Sequence, residues 1–261
     1  MPRGYRFSAN TGFLWKDRPF LQRIAAAAGA GFDAVEFHDE AQNEDPAALR
    51  DAIAAAGLPV LGLNARMGDT AGCAAMPAMA DQARRDIDAA IETAARVGAG
   101  AIHVLSGRTN EAAAHACYVA ALRHALAASD LTILIEPISS AAMPGYFLHS
   151  LDQARAVIAE IGHPRLKILF DCFHIEREHG DLVPRFGTVA GNVGHVQIAS
   201  FPDRAEPWPS DIDYAAVLPA LRAMGYTGAF GCEYLPASKV EDGLGWRDAL
   251  RTRLGAVTPA A

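Results

Sequence analysis

The sequence predicts an α/β protein folded as a single (β/α)8 TIM barrel over residues 1–261. Three observations carry this. The chain has 261 residues, 51% of them apolar, which fits one barrel of about 250 residues with a full core. Short apolar runs alternate with longer helical patterns along its whole length. Four successive apolar runs end on an oxygen-bearing side chain: Glu136, Asp171, Gln197 and Glu233. A doubly wound open sheet is the rival fold. It fits less well, because the first turn lacks GxGxxG and polar groups close many strands instead of lining one crevice. No composition shift marks a linker between domains.

The elements follow in order. Arg6 to Asn10 reads as the first strand, and Asp17 as the N-cap of a helix from Pro19 to Ala30. Ala34 to Phe37 is the second strand, with Glu36 and His38 at its end. Asp45 and Pro46 open a helix that Gly57 closes. Val60 to Asn64 is the third strand. Ala65 to Met79, with Gly68, Gly72 and Pro77, reads as a long βα loop of the kind that shapes a barrel site. A helix from Ala80 to Val97, a strand from Ala101 to Ser106 and a helix from Asn110 to Ala128 follow. Thr132 to Glu136 is strand five, and Ser150 caps the next helix. Lys167 to Asp171 is strand six, followed by polar, mixed residues and a short helix around Phe186. His195 to Ala199 is strand seven, Gly228 to Tyr234 strand eight, and Leu244 to Leu254 the closing helix before a frayed tail.

Composition sets bounds on function. Formal net charge is -7, from 30 acids against 23 bases. No basic stripe suggests a nucleic-acid partner. No apolar run is long enough for a membrane span, and Met1 to Tyr5 open no secretion segment. The four cysteines, Cys73, Cys117, Cys172 and Cys232, form no short-spaced framework, which suits reduced thiols in a cytoplasmic protein. Apolar residues on the helices fit either an interface in a homo-oligomer or completion of the core.

Strand side chains alternate, so each strand end can be assigned a direction. With Glu136 inward, Leu134 is inward while Ile133 and Ile135 face the helices. Asp171 brings Leu169 inward, Gln197 brings His195, and Glu233 brings Gly231. Each outward set is apolar. Strands five to eight are neighbours in a barrel, so the four polar ends converge. Two Glu, one Asp and one Gln offer hard oxygen ligands, which suit Mg2+ or Mn2+. The alternative is four separate acids and amides bonded to basic or backbone groups. His174 is placed to bind a substrate oxygen or to be satisfied in a loop. Arg204 matches a carboxylate or hydroxyl, or is a solvated charge, and Glu206 would orient it or lie at the surface. Glu36, His38, Asn64 and His103 are further pocket candidates, with ordinary hydrogen bonding favoured for His103. Trp15, Trp208 and Trp246 would wall the pocket or fill the core.

These residues lie in recognisable motifs. Ile135-Glu136-Pro137-Ile138, Phe170-Asp171 through His174, Gly194-His195-Val196-Gln197-Ile198-Ala199 and Gly231-Cys232-Glu233-Tyr234 resemble the hydroxypyruvate isomerase family, within the wider xylose-isomerase-like group. Arg6 to Asn10, Gly31 to Phe37 and the Arg204, Glu206, Pro207 group extend the likeness over nearly the whole chain. The resemblance implies a metal held by Glu136, Asp171, Gln197 and Glu233, and an acid/base pair of Glu136 and Glu233. It implies substrate contacts from His174 and Arg204. It further implies a small hydroxy-oxo acid or sugar as substrate, with hydroxypyruvate converted to 2-hydroxy-3-oxopropanoate through an enediolate. A 2-oxotetronate isomerase, a ketose 3-epimerase and a non-catalytic sugar-acid-binding protein are the alternatives. The chain departs from the family pattern at four places. Leu63-Asn64 replaces His-Asn, the following loop is shorter, Leu235 replaces a basic residue, and Pro207 to Asp211 lacks the usual glycines.

Overall fold

A computed structural model describes residues 4–257. The tail beyond Val257 and the first three residues, both read above, lie outside the described residues. Eight parallel strands close into a barrel in sequence order. They are β1 Phe7–Asn10, β2 Ala34–Phe37, β3 Val60–Asn64, β4 Ala101–His103, β5 Thr132–Ile135, β6 Leu166–Asp171, β7 Val193–Ile198 and β8 Phe230–Cys232. The main helices between and after them are α1 Phe20–Gly29, α2 Pro46–Ala56, α3 Ala80–Val97, α4 Ala114–Ala128, α5 Leu151–Ile161, α6 Cys172–His179, α7 Leu182–Gly187, α8 Tyr214–Ala223, α9 Val240–Gly243 and α10 Gly245–Val257.

Local chemistry sets these boundaries. Asp45 accepts from Ala47 N and Ala48 N at the start of α2, with Pro46 in the first turn, where no donor is lost. Gly57, Gly98 and Gly162 end α2, α3 and α5 in the left-handed region, as the sequence suggests for Gly57. Ser150 accepts from Gln153 N and caps α5 as expected. Asp17 does not cap α1. Pro19 holds the N-cap position without a side-chain bond, because a turn over residues 11–17 delays the helix start. Strand four and the helix after it are shorter than expected, since residues 104–113 run instead through isolated bridges from Ser106 to Gly72 and from Arg108 to Tyr146 and then a turn.

Alternation holds in every strand that delivers a polar end. Ile133, Ile135, Phe170, Val196, Ile198, Phe230 and Cys232 are buried in the layer between barrel and helices. Ala101, Leu134 and Leu169 form a separate small cluster inside the barrel. The rest of that interior is thinly filled, with Gly62, Gly194 and Ala101 lining a cavity of about 280 Å3. Across it, Glu36 Oε2 and His195 Nε2 lie 2.6 Å apart. His195 therefore sits one layer below Gln197, as its parity requires. Leu235 is the exposed large apolar side chain among the described residues, and helix residues such as Leu21, Ile91 and Ile161 are partly buried and pack against the core. No helix among them is long and apolar enough to cross a membrane.

Gly231 makes the Glu36–His195 pair possible. A Cβ there would overlap Glu36 Oε1 and lie 2.7 Å from His195 Nε2 and 2.9 Å from Gln197 Cγ. We expect Gly231→Ala to cost about 1–3 kcal/mol by overpacking. That corresponds to a fall in melting temperature of about 2–10 °C, read by thermal denaturation. An unchanged melting temperature would show that the interior yields at no cost.

Candidate active site

The polar layer crowns the barrel at the C-terminal ends of the strands. Asn10, Asn64, His103, Asp171 and Gln197 lie on strands, and Glu136 and Glu233 lie one residue beyond β5 and β8. Glu136, Asp171, His174, Gln197 and Glu233 are all buried. The register sets Asp171 beside Gln197. Strand six passes straight into α6, and Asp171 is the N-cap of that helix. Its Oδ1 accepts from Phe173 N at 2.8 Å. One carboxylate oxygen is thereby fixed by the backbone, while Oδ2 faces the site.

The same turn places His174 in the first turn of α6 rather than in a loop. Its Nε2 lies 3.7 Å from Asp171 Oδ2 and 3.8 Å from Glu136 Oε1. On the other side of the ring, Nδ1 is 3.4 Å from Ser139 Oγ. Glu136, Asp171 and His174 each offer one ligand atom, and the three lie within 4.8 Å of one another. Burial holds His174 neutral, with a pKa pushed down to about 3. Neutral imidazole is the form that can ligate a metal.

Glu233 receives the most donors. Asn10 Nδ2 donates to its Oε1 at 2.8 Å, Gln197 Nε2 at 3.4 Å, and His38 Nε2 lies 3.2 Å away. Arg204 Nη2 donates to Glu233 Oε2 and, at 3.1 Å, to Asp171 Oδ2. The guanidinium lies 4.7 Å from the Phe13 ring centre and 5.1 Å from that of Phe173, a cation–π sandwich.

The two glutamates are pushed in opposite directions. Burial, then the charges of Glu233 and Asp171, hold the Glu136 carboxyl well above the usual range. Burial also raises Asp171, to about 6, with Arg204 opposing. Burial alone would raise Glu233 too, but Arg204 and His38 outweigh it and hold it at about 2. His38 is raised in turn, because Glu233 outweighs its burial.

The donor set fits a divalent cation. Glu136 Oε1 and Gln197 Oε1 are buried acceptors without a hydrogen-bond partner among the described residues. Such atoms cost about 1–3 kcal/mol each unless something positive meets them. The Glu136, Asp171 and His174 cluster can coordinate such an ion, and Gln197 and Glu233 border it through the contacts above.

The remaining expectations fall out variously. Asn64 Oδ1 faces His103 Nδ1 at 3.2 Å, so it reaches the site's edge through that ring. Glu206 does not orient Arg204 in this arrangement; its carboxylate accepts from Ala237 N and braces the loop after β8. Trp15 and Trp246 are core residues, donating to Glu241 and Tyr234. Asn10 and Phe13 are site residues that the sequence pattern did not single out. The parity that selected Glu233 also points Asn10 inward, so the signal for Asn10 was present.

Comparison with known proteins places the chain. Residues 24–252 match the xylose isomerase-like TIM barrel family. A 2-oxo-tetronate isomerase from Cupriavidus necator is 38% identical over 255 residues, covering 92% of this chain and 96% of that protein. The hydroxypyruvate isomerase of Escherichia coli is 35% identical over 257 residues, covering 94% and 99%. A crystal structure from Brucella melitensis described as an AP endonuclease, family 2, superposes with a TM-score of 0.89 at 31% identity, covering 94% and 98%.

Two outcomes test the site. Asp171→Asn is expected to weaken Mn2+ binding by at least about 10–100-fold, the loss typical of even an outer partner of a metal. Calorimetric titration reads this, and an unchanged affinity removes Asp171 from the ligand set. The raised Glu136 and Asp171 carboxyls bind protons more readily in the folded chain than at the unfolded value near 4. Their contribution to stability is therefore present at low pH and lost as pH rises through the folded pKa, about 6 for Asp171. Glu233, held at about 2, is ionised in both states over that window. Chelated Glu136→Gln protein should then melt higher than wild type at pH 8, with the gap closing toward pH 5. A variant that melts lower at pH 8 would contradict the assigned repulsion.

Proposed function

The chain belongs to the xylose isomerase-like TIM barrel family and is an isomerase-type enzyme with a candidate metal site, and we propose that it interconverts 2-oxotetronate and its 3-oxo isomer. The observation that carries an isomerase reading is the pair of buried glutamates with oppositely shifted carboxyls. Glu233 takes the proton from the hydroxyl-bearing C3 and releases it to solvent. Glu136 passes a solvent-derived proton to C2, while the hydroxyl proton on O3 moves to O2, so every position balances. The carbonyl and hydroxyl thereby exchange places through an enediolate. A divalent cation held by Glu136, Asp171, Gln197 and Glu233, with Mg2+ and Mn2+ favoured by the oxygen donors, supplies charge that stabilises developing oxyanions.

Arg204 favours an acid over a neutral sugar. Its Nε is buried and has no hydrogen-bond partner among the described residues. One donor therefore remains for a substrate carboxylate while Nη2 holds Asp171 and Glu233. His174 and Asn64 border the same space and would contact substrate oxygens. Hydroxypyruvate undergoes the same C2–C3 exchange and lacks only a hydroxymethyl group on C3. It is the second reading, favoured by the likeness to the E. coli enzyme. The higher identity to a 2-oxo-tetronate isomerase supports the four-carbon acid as the first.

Proton NMR in deuterated buffer tests this, with Mg2+ or Mn2+ against a chelated control. The expected result is metal-dependent loss of 2-oxotetronate, deuterium at C2 of the 3-oxo product, and slower turnover of hydroxypyruvate. Glu233→Gln should lose about 10²–10⁴-fold in kcat, the usual worth of a general base. No exchange with either acid by folded, metal-loaded protein overturns the reading. So does full turnover by the Glu233→Gln variant.

A further inference from the structure

Arg204 reaches the crown through a single nitrogen. Its Nη2 donates to Asp171 Oδ2 at 3.1 Å and to Glu233 Oε2. These are the two carboxylate oxygens that the rest of the chain leaves over. Asp171 Oδ1 is taken by Phe173 N at 2.8 Å. Glu233 Oε1 faces Asn10 Nδ2 at 2.8 Å, His38 Nε2 at 3.2 Å and Gln197 Nε2 at 3.4 Å. A cation drawn to Asp171 and Glu233 therefore meets oxygens that Nη2 already holds. Whether it displaces Nη2 or shares them, two positive charges then lie close together in a site screened from water, and each disfavours the other.

The guanidinium is held by more than its ion pairs. It lies between the rings of Phe13 and Phe173, with centroids at 4.7 and 5.1 Å. Its charge is permanent. The main chain at Arg204 is fixed, left-handed at φ 56° with its carbonyl accepting from Leu235 N at 2.7 Å. Rotation of the side chain alone can therefore move Nη2. One donor stands unused beside it: Nε is buried and has no hydrogen-bond partner among the described residues. Nε and Nη2 form one edge of the guanidinium, and two parallel N–H bonds from such an edge match a carboxylate. That edge is split while Nη2 stays on Asp171 and Glu233.

We propose that Arg204 is a resident competitor of the divalent ion, and that its release by ion binding turns it into a two-point receptor for the substrate carboxylate. The identity of that acid rests on the 2-oxo acid reading above; the competition needs no substrate. Ion and acid both favour the state in which Nη2 has left Asp171 and Glu233, so they bind with positive coupling. A bracing role for Arg204 makes the opposite prediction. A brace would hold Asp171 and Glu233 ready, and its loss would weaken ion binding.

Calorimetric titration of Mn2+ into chelator-stripped wild type, Arg204→Met and Phe13→Leu separates the two. Arg204→Met removes the charge and keeps a similar stem, so Mn2+ should bind about 10-fold tighter or more. Phe13→Leu keeps every charge and ligand but opens one side of the clamp. Its gain should be about 2–10-fold, as the loss of one cation–π contact allows. Weaker or unchanged Mn2+ binding by Arg204→Met overturns the competition and makes Arg204 a brace. If that variant does not fold without an ion, Phe13→Leu decides by the same sign. The receptor role is read with glycerate, an acid without a carbonyl to isomerise, titrated into Mn2+-loaded wild type and Arg204→Lys. Lysine keeps a charge without the fork, so glycerate should bind at least about 10-fold more weakly to Arg204→Lys. Equal binding ends the receptor role. None of these titrations needs turnover. A wild type that isomerises neither acid removes the 2-oxo acid reading, and the Mn2+ results still decide for Arg204.

Discussion

Three carboxylates meet at the crown of this barrel, and their mutual repulsion is the constraint that the surrounding residues answer. Glu136, Asp171 and Glu233 are all nearly excluded from water. Burial weakens screening, so each raises the cost of ionising the others. The chain responds unevenly. Glu233 is given Asn10, Gln197, His38 and Arg204, whereas Glu136 keeps one oxygen with no partner. The asymmetry raises the Glu136 carboxyl and lowers that of Glu233, one residue beyond β5 and β8 respectively.

Much of this is legible in the order of the residues. Alternation in β5 to β8 assigns Leu134, Leu169, His195 and Gly231 inward with the four polar ends, and the fold places them so. What pattern could not supply is the third dimension of the turns. His174 reads as a loop residue because no apolar period between Asp171 and Glu178 announces a helix. It is in fact held over Asp171 by α6, whose start depends on one Asp171 oxygen capping Phe173 N. Sequence distance also hid Asn10, and hid that the pocket candidate His38 meets Glu233; both reach it across more than 190 residues because β1 and β8 close the cylinder. Glu206, near Arg204 in sequence, instead holds Ala237, since the backbone turns left-handed at Arg204. The tryptophans were ambiguous by composition alone. Packing, not patterning, decides that Trp15 and Trp246 are core.

The interior beneath the crown is built differently from a barrel filled by bulky branched residues. Glycines and alanines take several inward positions, and a Glu36–His195 pair crosses the space that Gly231 leaves open. Polar groups thus occupy two successive layers. The lower layer satisfies itself in part, while the upper leaves polar atoms on Glu136, Gln197 and His103 unmatched. Unmatched atoms in the upper layer mark where chemistry enters.

Arg204 bears on how such a molecule comes into being. Its guanidinium ties the ends of β6 and β8 together through Asp171 and Glu233, and two aromatic rings clamp it. A positive charge encoded in the chain therefore neutralises part of the crown from the moment the barrel closes. Small metallo-domains often cannot fold until their ion arrives, because nothing else balances their ligands. An ion entering at Glu136, Asp171 and His174 would therefore meet a crown whose negative charge a residue of the chain already offsets in part.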